Sequence, residues 1–208
     1  MAFCSVTLIA FFPITNPNST SQSVWLDPLG IIIGSVGTNY ENVFPVPITL
    51  GLLIEDFESG SFTSFDWIQG GDAEWTIDSD SYSGNYSAKS GTISHNQTSE
   101  LSIELNILYE GETSFWAKAS SEQSGTGNIY DYLEFYIDDE AAELNIGGEL
   151  DWTEYTVDIP VGEHSLRWVY QKDGAQSSGQ DCAWLDRIVF PTGSIPPLNI
   201  DFGDANLD

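Results

Sequence analysis

The chain has 208 residues, and its five Lys and Arg against 32 Asp and Glu give a net charge of −27. A surface this negative repels phosphate backbones and anionic lipids, which argues against nucleic acid and membranes as partners. Aromatic residues make up 13% of the chain, and no window shows the periodicity of an amphipathic helix. Because aromatic side chains suit a pleated, half-buried surface, the composition predicts an all-β protein.

The first 53 residues are apolar and contain only two charged residues, Asp27 and Glu41. Three segments there each predict a strand: SVTLIAFFPI, SVWLDPLGIIIGSVG and ENVFPVPITLGLL. Their prolines confine these strands to edges or bends. Because three short strands do not form a stable domain alone, we expect this N-terminal β extension to pack on the rest of the chain, on another subunit or on a further domain.

Residues 54–191 hold most of the acidic residues and all five basic ones. Apolar and polar residues alternate there with period two, the pattern of a half-buried strand. SELSIELNI places four apolar residues on one face: Leu101, Ile103, Leu105 and Ile107. YDYLEFYID places one apolar set opposite one tyrosine set: Leu133, Phe135 and Ile137 against Tyr130, Tyr132 and Tyr136.

About nine or ten such strands, regularly spaced between turns, predict an antiparallel jelly-roll β-sandwich over residues 54–191. WTEYTVDI and HSLRWVYQKD flank a Pro/Gly turn at residues 160–163, which is typical of a β-hairpin. Residues 192–208 are expected to form a C-terminal linker or tail.

The last predicted strand, CAWLDRIVF, places a carboxylate on an otherwise apolar face. With strict alternation, Asp186 shares its face with Cys182, Trp184, Ile188 and Phe190. A buried carboxylate must be paired, hydrogen-bonded or bound to metal, and few basic residues are present to pair it.

Two interpretations of this carboxylate stay open. In the first, carboxylates near the first strand and on the last strand bind a structural calcium ion, since Ca²⁺ takes oxygen ligands. Its candidate ligands are Asp56, Glu58, Asp181 and Asp186. In the second, Asp186 is a hydrogen-bonded carboxylate near a strand end.

Outward aromatic residues form a candidate ligand-binding surface, because sugar rings stack on exposed aromatic faces. The candidates are Tyr130, Tyr132, Tyr136, Trp116 and Trp152. The alternative, which we favour, is that loops cover these rings and make them a second packing layer.

No pattern in the chain indicates catalysis. Neither His95 nor His164 lies in a metalloprotease or nucleophile motif. Cys182 lies in an apolar strand, where a free thiol behaves as a small hydrophobic side chain. We therefore expect a protein that is not an enzyme.

Four segments of the middle region carry a resemblance to a known group of domains: IEDFESGSFTSFDWIQGGDAEWTID, YDYLEFYIDDE, GELDWTEYTVDIPVGEHSLRWVYQKDG and SSGQDCAWLDRIVFP. Residues 54–191 resemble secreted bacterial jelly-roll modules of the cleaved-adhesin and MAM-like type, with a concanavalin A-like sandwich. The resemblance implies an extracellular setting, adhesion or glycan contact, no catalysis, and a structural Ca²⁺.

The C-terminal sequence DANLD is similar to the first half of a dockerin loop, or is an acidic tail that matches by chance. Taken together, these features predict an extracellular structural or adhesive surface protein. It is expected to self-associate or bind other surface proteins through its apolar N-terminal segment, as a filament or sheath subunit would. The alternative is a carbohydrate-binding module of a secreted multidomain hydrolase.

Overall fold

All described secondary structure is β-strand. The structure, a computed structural model, describes residues 52–196 in full and the backbone of four strands before them. No helix occurs among these residues, so the described part of the chain has none that could cross a membrane. The chain divides into two compact units, residues 1–51 and residues 52–208.

The N-terminal unit contains two separate pairs of antiparallel strands. These are β1 (Thr7–Phe12) with β4 (Phe44–Thr49), and β2 (Val24–Leu26) with β3 (Ile32–Ser35). Each of the three predicted segments therefore contains strand, and the second one supplies two. Both prolines of β4 lie in a two-stranded sheet, where every strand is an edge strand that tolerates a missing N–H.

Within residues 52–196 the second unit contains thirteen strands, many of them short. The first six are β5 (Ile54–Glu55), β6 (Ile68–Gly71), β7 (Thr76–Asp78), β8 (Ser87–Lys89), β9 (Thr98–Ile107) and β10 (Gly111–Ser120). The others are β11 (Tyr132–Ile137), β12 (Glu140–Ala141), β13 (Ile146–Gly147), β14 (Glu149–Ile159), β15 (Gly162–Gln171), β16 (Cys182–Val189) and β17 (Ser194–Ile195).

These strands form two antiparallel sheets that stack as a sandwich. The six-stranded sheet has the order β14-β10-β16-β8-β7, with β5 also paired to β16. The seven-stranded sheet has the order β12-β11-β15-β9-β17, with β13 on β11 and β6 on β9. The long strands β9, β10, β11, β14, β15 and β16 alternate between the sheets, which is the winding of a jelly roll. The predicted all-β sandwich is confirmed.

The core lies between the inner faces of the two sheets. All four apolar residues predicted to face inward from β9 are buried, and so are Leu133 and Phe135 of β11. Trp168 of β15 is fully buried, with its ring centroid 4.8 Å from that of Phe135 and 5.5 Å from that of Phe115. Burying a side chain of this kind contributes about 1.5–3 kcal/mol, so the interleaved aromatic rings are a main source of stability.

The predicted hairpin between β14 and β15 is wrong. The two strands are joined by a tight turn, but β14 pairs with β10, whereas β15 pairs with β11 and β9. The reason is that both strands present apolar residues to the same core from opposite sheets: Tyr155 and Ile159 from β14, Leu166 and Trp168 from β15. The turn therefore crosses the edge of the sandwich.

The single apolar face assigned to β16 is also wrong, because a β-bulge divides it. Ser114 of β10 pairs with Val189 and Trp116 pairs with Asp186, so two residues of β16 oppose Phe115. Arg187 in this bulge has a φ of 45°. Ile188 and Phe190 consequently join the core, whereas Cys182, Trp184 and Asp186 lie on the outer face of the sheet.

Candidate functional site

A buried carboxylate holds the loop between β7 and β8 against the outer face of the six-stranded sheet. Asp186 is fully buried, and its Oδ2 accepts hydrogen bonds from the backbone N–H groups of Tyr82 at 2.8 Å and Ser83 at 2.9 Å. Its Oδ1 accepts the N–H of Arg187 at 2.7 Å. Burial raises the pKa of Asp186 and the three N–H bonds act against this shift. Asp186 therefore fixes the backbone of the loop.

Glu58 holds the other end of the same loop. Its Oε1 accepts the N–H groups of Asn85 at 2.7 Å and Tyr86 at 2.9 Å, and its Oε2 accepts the Asn85 side-chain amide at 2.9 Å. These bonds, led by that of the Asn85 amide, lower the pKa of Glu58. Gly84 is required here, because its φ is 74° and a Cβ would lie 2.4 Å from the Glu58 carboxyl.

The fixed loop places an aromatic ring on the sheet surface. The rings of Tyr82 and Trp116 stack with centroids 3.5 Å apart and planes 8° apart. The ring of Trp152, on the neighbouring strand β14, lies 6.4 Å from Tyr82 at 56°. We call Tyr82, Trp116 and Trp152 the aromatic patch. Tyr82 is 41% exposed, so this patch presents aromatic surface to solvent.

Two Lys–Asp ion pairs flank the ring of Trp184 on the same face of the sheet. The ammonium groups of Lys89 and Lys118 each lie 5.2 Å from the centroid of the Trp184 ring, one on each neighbouring strand. Lys89 pairs with Asp78 at 3.3 Å, and Lys118 pairs with Asp80 at 2.6 Å. These contacts cover Trp184, which is 1% exposed, whereas Tyr82 in the aromatic patch stays accessible to solvent.

The five aromatic residues predicted to bind a ligand do not form one surface. Trp116 and Trp152 come together in the aromatic patch, and their bridging partner Tyr82 was not predicted. Tyr132 and Tyr136 lie on β11 in the other sheet, on the face away from the core, as their alternation predicts. Both are only partly exposed. The Arg167 guanidinium lies 4.7 Å from the Tyr136 ring centroid.

The sequence signal that would have found Tyr82 is weak. It lies in SDSYSGNY, a polar loop without alternation, and loop conformation is not encoded in a period-two pattern.

Tyr130, the fifth predicted residue, is 40% exposed in the loop before β11. Its backbone N–H donates to the carbonyl of Glu122 at 3.1 Å.

The four predicted calcium ligands lie in two different places. Glu58 and Asp186 hold the loop before β8, and Asp56 accepts the N–H of Glu58 at 3.2 Å. Asp181, at the start of β16, instead pairs with Lys172 and accepts a bond from the Tyr170 hydroxyl at 3.4 Å. Among the described residues these four carboxylates form no group of three within 4.8 Å.

The contacts of Asp186 match the hydrogen-bonded interpretation given above. Calcium beside Asp56, Glu58 and Asp186 stays a prediction. A melting temperature that EDTA lowers and Ca²⁺ restores would support it.

The Cys182 thiol and the His164 imidazole, the groups considered above for catalysis, both have contacts that suit a structural role. Cys182 is buried, and burial raises the pKa of its thiol to about 12, far from the value that a nucleophile needs. Cys4 lies outside the described residues. The His164 Nδ1 atom lies 3.0 Å from an Asp138 carboxylate oxygen. This hydrogen bond lowers the pKa of Asp138.

Comparison with known proteins gives similarities to solved structures alone. No family model and no curated protein matches the chain. One similar structure is TmCBM61 in complex with β-1,4-galactotriose, at 18% identity, covering 65% of this chain and 94% of that chain with a TM-score of 0.47. Another is the K1 cleaved adhesin domain of Lys-gingipain from Porphyromonas gingivalis W83, at 15% identity, covering 70% and 98% with a TM-score of 0.48.

A third similar structure is the secreted serine protease VesC from Vibrio cholerae, at 20% identity and a TM-score of 0.49. The match covers 76% of this chain and 32% of VesC. At such low identities and TM-scores, these similarities assign neither a ligand nor an activity to this chain. The dockerin-like tail lies outside the described residues, and the MAM-like part of the resemblance stays a prediction.

Replacing the buried carboxylate tests its role in fixing the loop. We expect Asp186→Asn to lower the free energy of unfolding by about 2–4 kcal/mol. The amide oxygen is a weaker acceptor than the carboxylate for the backbone N–H groups, and the amide NH₂ would face N–H donors that it cannot bond. The measurement is urea unfolding followed by tryptophan fluorescence. Asp158→Asn, at an exposed position on β14, is the matched control and should change stability by less than about 0.5 kcal/mol. Equal effects of the two substitutions would contradict the role of Asp186.

Because the pKa of Glu58 is lowered, its contribution to the free energy of unfolding should depend on pH. A carboxyl whose pKa is lower in the folded state stabilises the fold above its unfolded-state pKa, and this contribution disappears as the pH falls through the folded-state value. The stability difference between the parent and Glu58→Gln should therefore be constant near neutral pH and shrink in acid. Urea midpoints measured across this range check it, with Glu110→Gln as control. A pH-independent difference would refute the prediction.

Proposed function

We propose that residues 52–196 form a non-catalytic, extracellular carbohydrate-binding module that contacts glycans through the aromatic patch. The observation that carries this proposal is the exposed Tyr82 ring, stacked on Trp116 at 3.5 Å and fixed by the bonds to Asp186. The C–H faces of sugar rings pack on aromatic rings, and a ring already held in place loses little entropy on binding. Pre-organisation of this kind suits recognition of a flexible oligosaccharide.

The charges around the aromatic patch favour a neutral glycan. The chain has a net charge of −27. The two lysines nearest to the patch already pair with Asp78 and Asp80. Uronic or sulfated sugars would therefore meet repulsion that is not locally neutralised, whereas neutral galactose- or glucose-type sugars would not.

Binding without hydrolysis is the chemistry that these side chains support. A glycosidase needs two carboxylic groups that flank a sugar, one of them free to donate a proton. Glu154, which pairs with Trp116 in the strand register, is a single exposed carboxylate. Four other carboxylates around the aromatic patch are engaged: Asp186 and Glu58 by backbone N–H groups, Asp78 and Asp80 by lysines. Groups committed in this way serve to shape a surface rather than to transfer protons.

A glycan array probed with the full chain tests this function. We expect binding to neutral oligosaccharides, and an at least tenfold weaker Kd for Tyr82→Ala, since a lost stacking contact of about 1.4 kcal/mol corresponds to a factor of ten. Tyr82→Phe keeps the ring and should retain most of the affinity.

Tyr136→Ala is the matched control in the opposite sheet and should bind as the parent does. An array without hits would contradict the proposed function. Loss of binding in Tyr136→Ala but not in Tyr82→Ala would place glycan contact on the other sheet and remove the aromatic patch as the site.

We also propose that the N-terminal unit attaches this module to other copies or to other surface proteins, as an adhesive or filament-forming protein requires. The supporting observation is that residues 1–53 carry two charged residues and that the four strands described there form two-stranded sheets. A two-stranded sheet leaves both of its edges open to a further strand.

Truncation tests this second role. Sedimentation velocity of the full chain should show oligomers, and deletion of residues 1–51 should give a monomer that retains the β-type circular dichroism and cooperative unfolding of the second unit. A full chain that sediments as a monomer at all concentrations would contradict attachment by self-association.

A further inference from the structure

Two loops meet at one end of the sandwich and bring acidic residues together. The first loop, residues 121–131, joins β10 to β11, and the second, residues 172–181, joins β15 to β16. The backbone N–H of Asp173 in the second loop donates to Asp131 Oδ1 in the first loop at 2.9 Å. The carbonyl of Asp173 in turn accepts the N–H of Asn96 at 2.8 Å. These bonds fix the positions of the acidic side chains relative to one another.

Three carboxylates converge in this region, and we call Glu122, Asp131 and Asp173 the carboxylate cluster. Each contributes one oxygen, and the three oxygens all lie within 4.8 Å of one another. Glu122 is 7% exposed and Asp131 is completely buried. Both side chains come from the same loop, whereas Asp173 approaches from the other one.

Two oxygens of the carboxylate cluster lack hydrogen bonds although they are buried. Glu122 Oε2 and Asp131 Oδ2 are shielded from solvent and have no hydrogen-bond partner among the described residues. A buried carboxylate oxygen without a hydrogen bond destabilises the folded state, because the oxygen has lost its water and gained nothing in exchange. This situation contrasts with Asp186, both of whose oxygens accept backbone N–H groups.

The nearby lysine does not neutralise the carboxylate cluster. The Lys172 Nζ atom lies 3.3 Å from Asp131 Oδ2, and it also contacts the Asp181 carboxylate and, at 2.8 Å, the Ser177 hydroxyl. One ammonium is therefore shared by two carboxylates, and Glu122 and Asp173 keep uncompensated charges. Burial, followed by the charges of Asp173 and Asp131, raises the pKa of Glu122, although Lys172 and His95 act in the other direction.

We propose that Glu122, Asp131 and Asp173 bind one Ca²⁺ ion that ties the two loops together. An ion with oxygen ligands at about 2.3–2.6 Å reaches three oxygens separated by up to about twice that distance. The donor set contains only oxygen, which suits Ca²⁺ rather than Zn²⁺, and Ca²⁺ tolerates the irregular geometry of two loops. The ion supplies the missing partner of Glu122 Oε2, adds a second cation beside Asp131 Oδ2, which Lys172 alone contacts at 3.3 Å, and removes the repulsion among the three charges.

This cation site differs from the calcium predicted beside Asp56, Glu58 and Asp186, with which it shares no ligand. It also shares no residue with the aromatic patch, so neither the glycan proposal nor the earlier calcium prediction depends on it. Its experiment accordingly measures the loss of one bound ion rather than of all calcium binding.

The test is a calorimetric titration of Ca²⁺ alone into the full chain after removal of metal with EDTA, at physiological ionic strength to suppress diffuse binding. We expect Glu122→Gln to lose one equivalent of Ca²⁺, or to bind it at least about tenfold more weakly, because one charged ligand is removed. Asp173→Asn changes a carboxylate that is not buried and should show the same loss. Glu110→Gln, an exposed position in another loop, should bind as the parent does.

Melting temperatures separate cation binding from a simple structural role of the acid. In EDTA, Glu122→Gln should melt at or above the temperature of the parent, because the amide relieves charge repulsion. Ca²⁺ should raise the melting temperature of the parent more than that of the variant. A parent that binds no Ca²⁺, a Glu122→Gln variant that binds it with unchanged stoichiometry and affinity, or a variant that melts below the parent in EDTA would overturn the proposal.

Discussion

The surface of the six-stranded sheet depends on one buried carboxylate and the backbone groups that it accepts. Asp186 lies beside Trp116 in the strand register and receives the N–H groups of Tyr82 and Ser83. An irregular loop has no strand partner for these donors, so without the carboxylate they would be satisfied only by water. The bulge at Arg187 makes this arrangement possible, because Asp186 keeps the outward position that alternation after Trp184 gives it while Ile188 turns into the core.

A shortage of basic residues shapes the rest of the molecule. Four of the five Lys and Arg are in ion pairs with carboxylates, and Arg167 and Lys172 each pair with two. The fold instead satisfies buried carboxylates with N–H groups. Glu55 accepts the N–H of Phe57 and the indole N–H of Trp67, and Glu134 accepts the N–H groups of Leu144 and two other residues.

This pattern makes the carboxylate cluster an exception. Its negative charge is compensated fully by neither the lysines nor backbone N–H groups. Because the chain has so few basic residues, a cation from solution is the remaining way to neutralise that charge. A Ca²⁺ ion at that place would do for the two loops what Asp186 does for the loop before β8.

Local alternation was sufficient to predict the strands but not their pairing. The inward residues of β9 and β11 follow directly from period two, because each of these strands is regular over its whole length. The face of β16 does not, because one extra residue at the bulge exchanges inside and outside beyond Arg187. The turn after β14 has the Pro and Gly residues that are typical of a β-hairpin. The chain nevertheless passes from one sheet to the other there, because β15 pairs with strands of the second sheet.

The candidate site was predictable only in part for a similar reason. Trp116 and Trp152 lie on strands, so their outward direction can be inferred, whereas Tyr82 reaches them from a loop whose course is set by Asp186 and Glu58 far along the chain. Asp181 is grouped with Asp186 in the sequence prediction because both are placed on the last predicted strand. The structure separates them, since Asp181 is drawn to Lys172 at the end of the sandwich.

Amide hydrogen exchange, observed by NMR, tests most directly whether Asp186 fixes the loop. The backbone amides of Tyr82 and Ser83 belong to no strand, yet both donate to a fully buried carboxylate. The account predicts that they exchange at least about a hundredfold more slowly than the amide of Gly125, in the exposed loop before β11. Exchange of Tyr82 and Ser83 at the rate of Gly125 would contradict it.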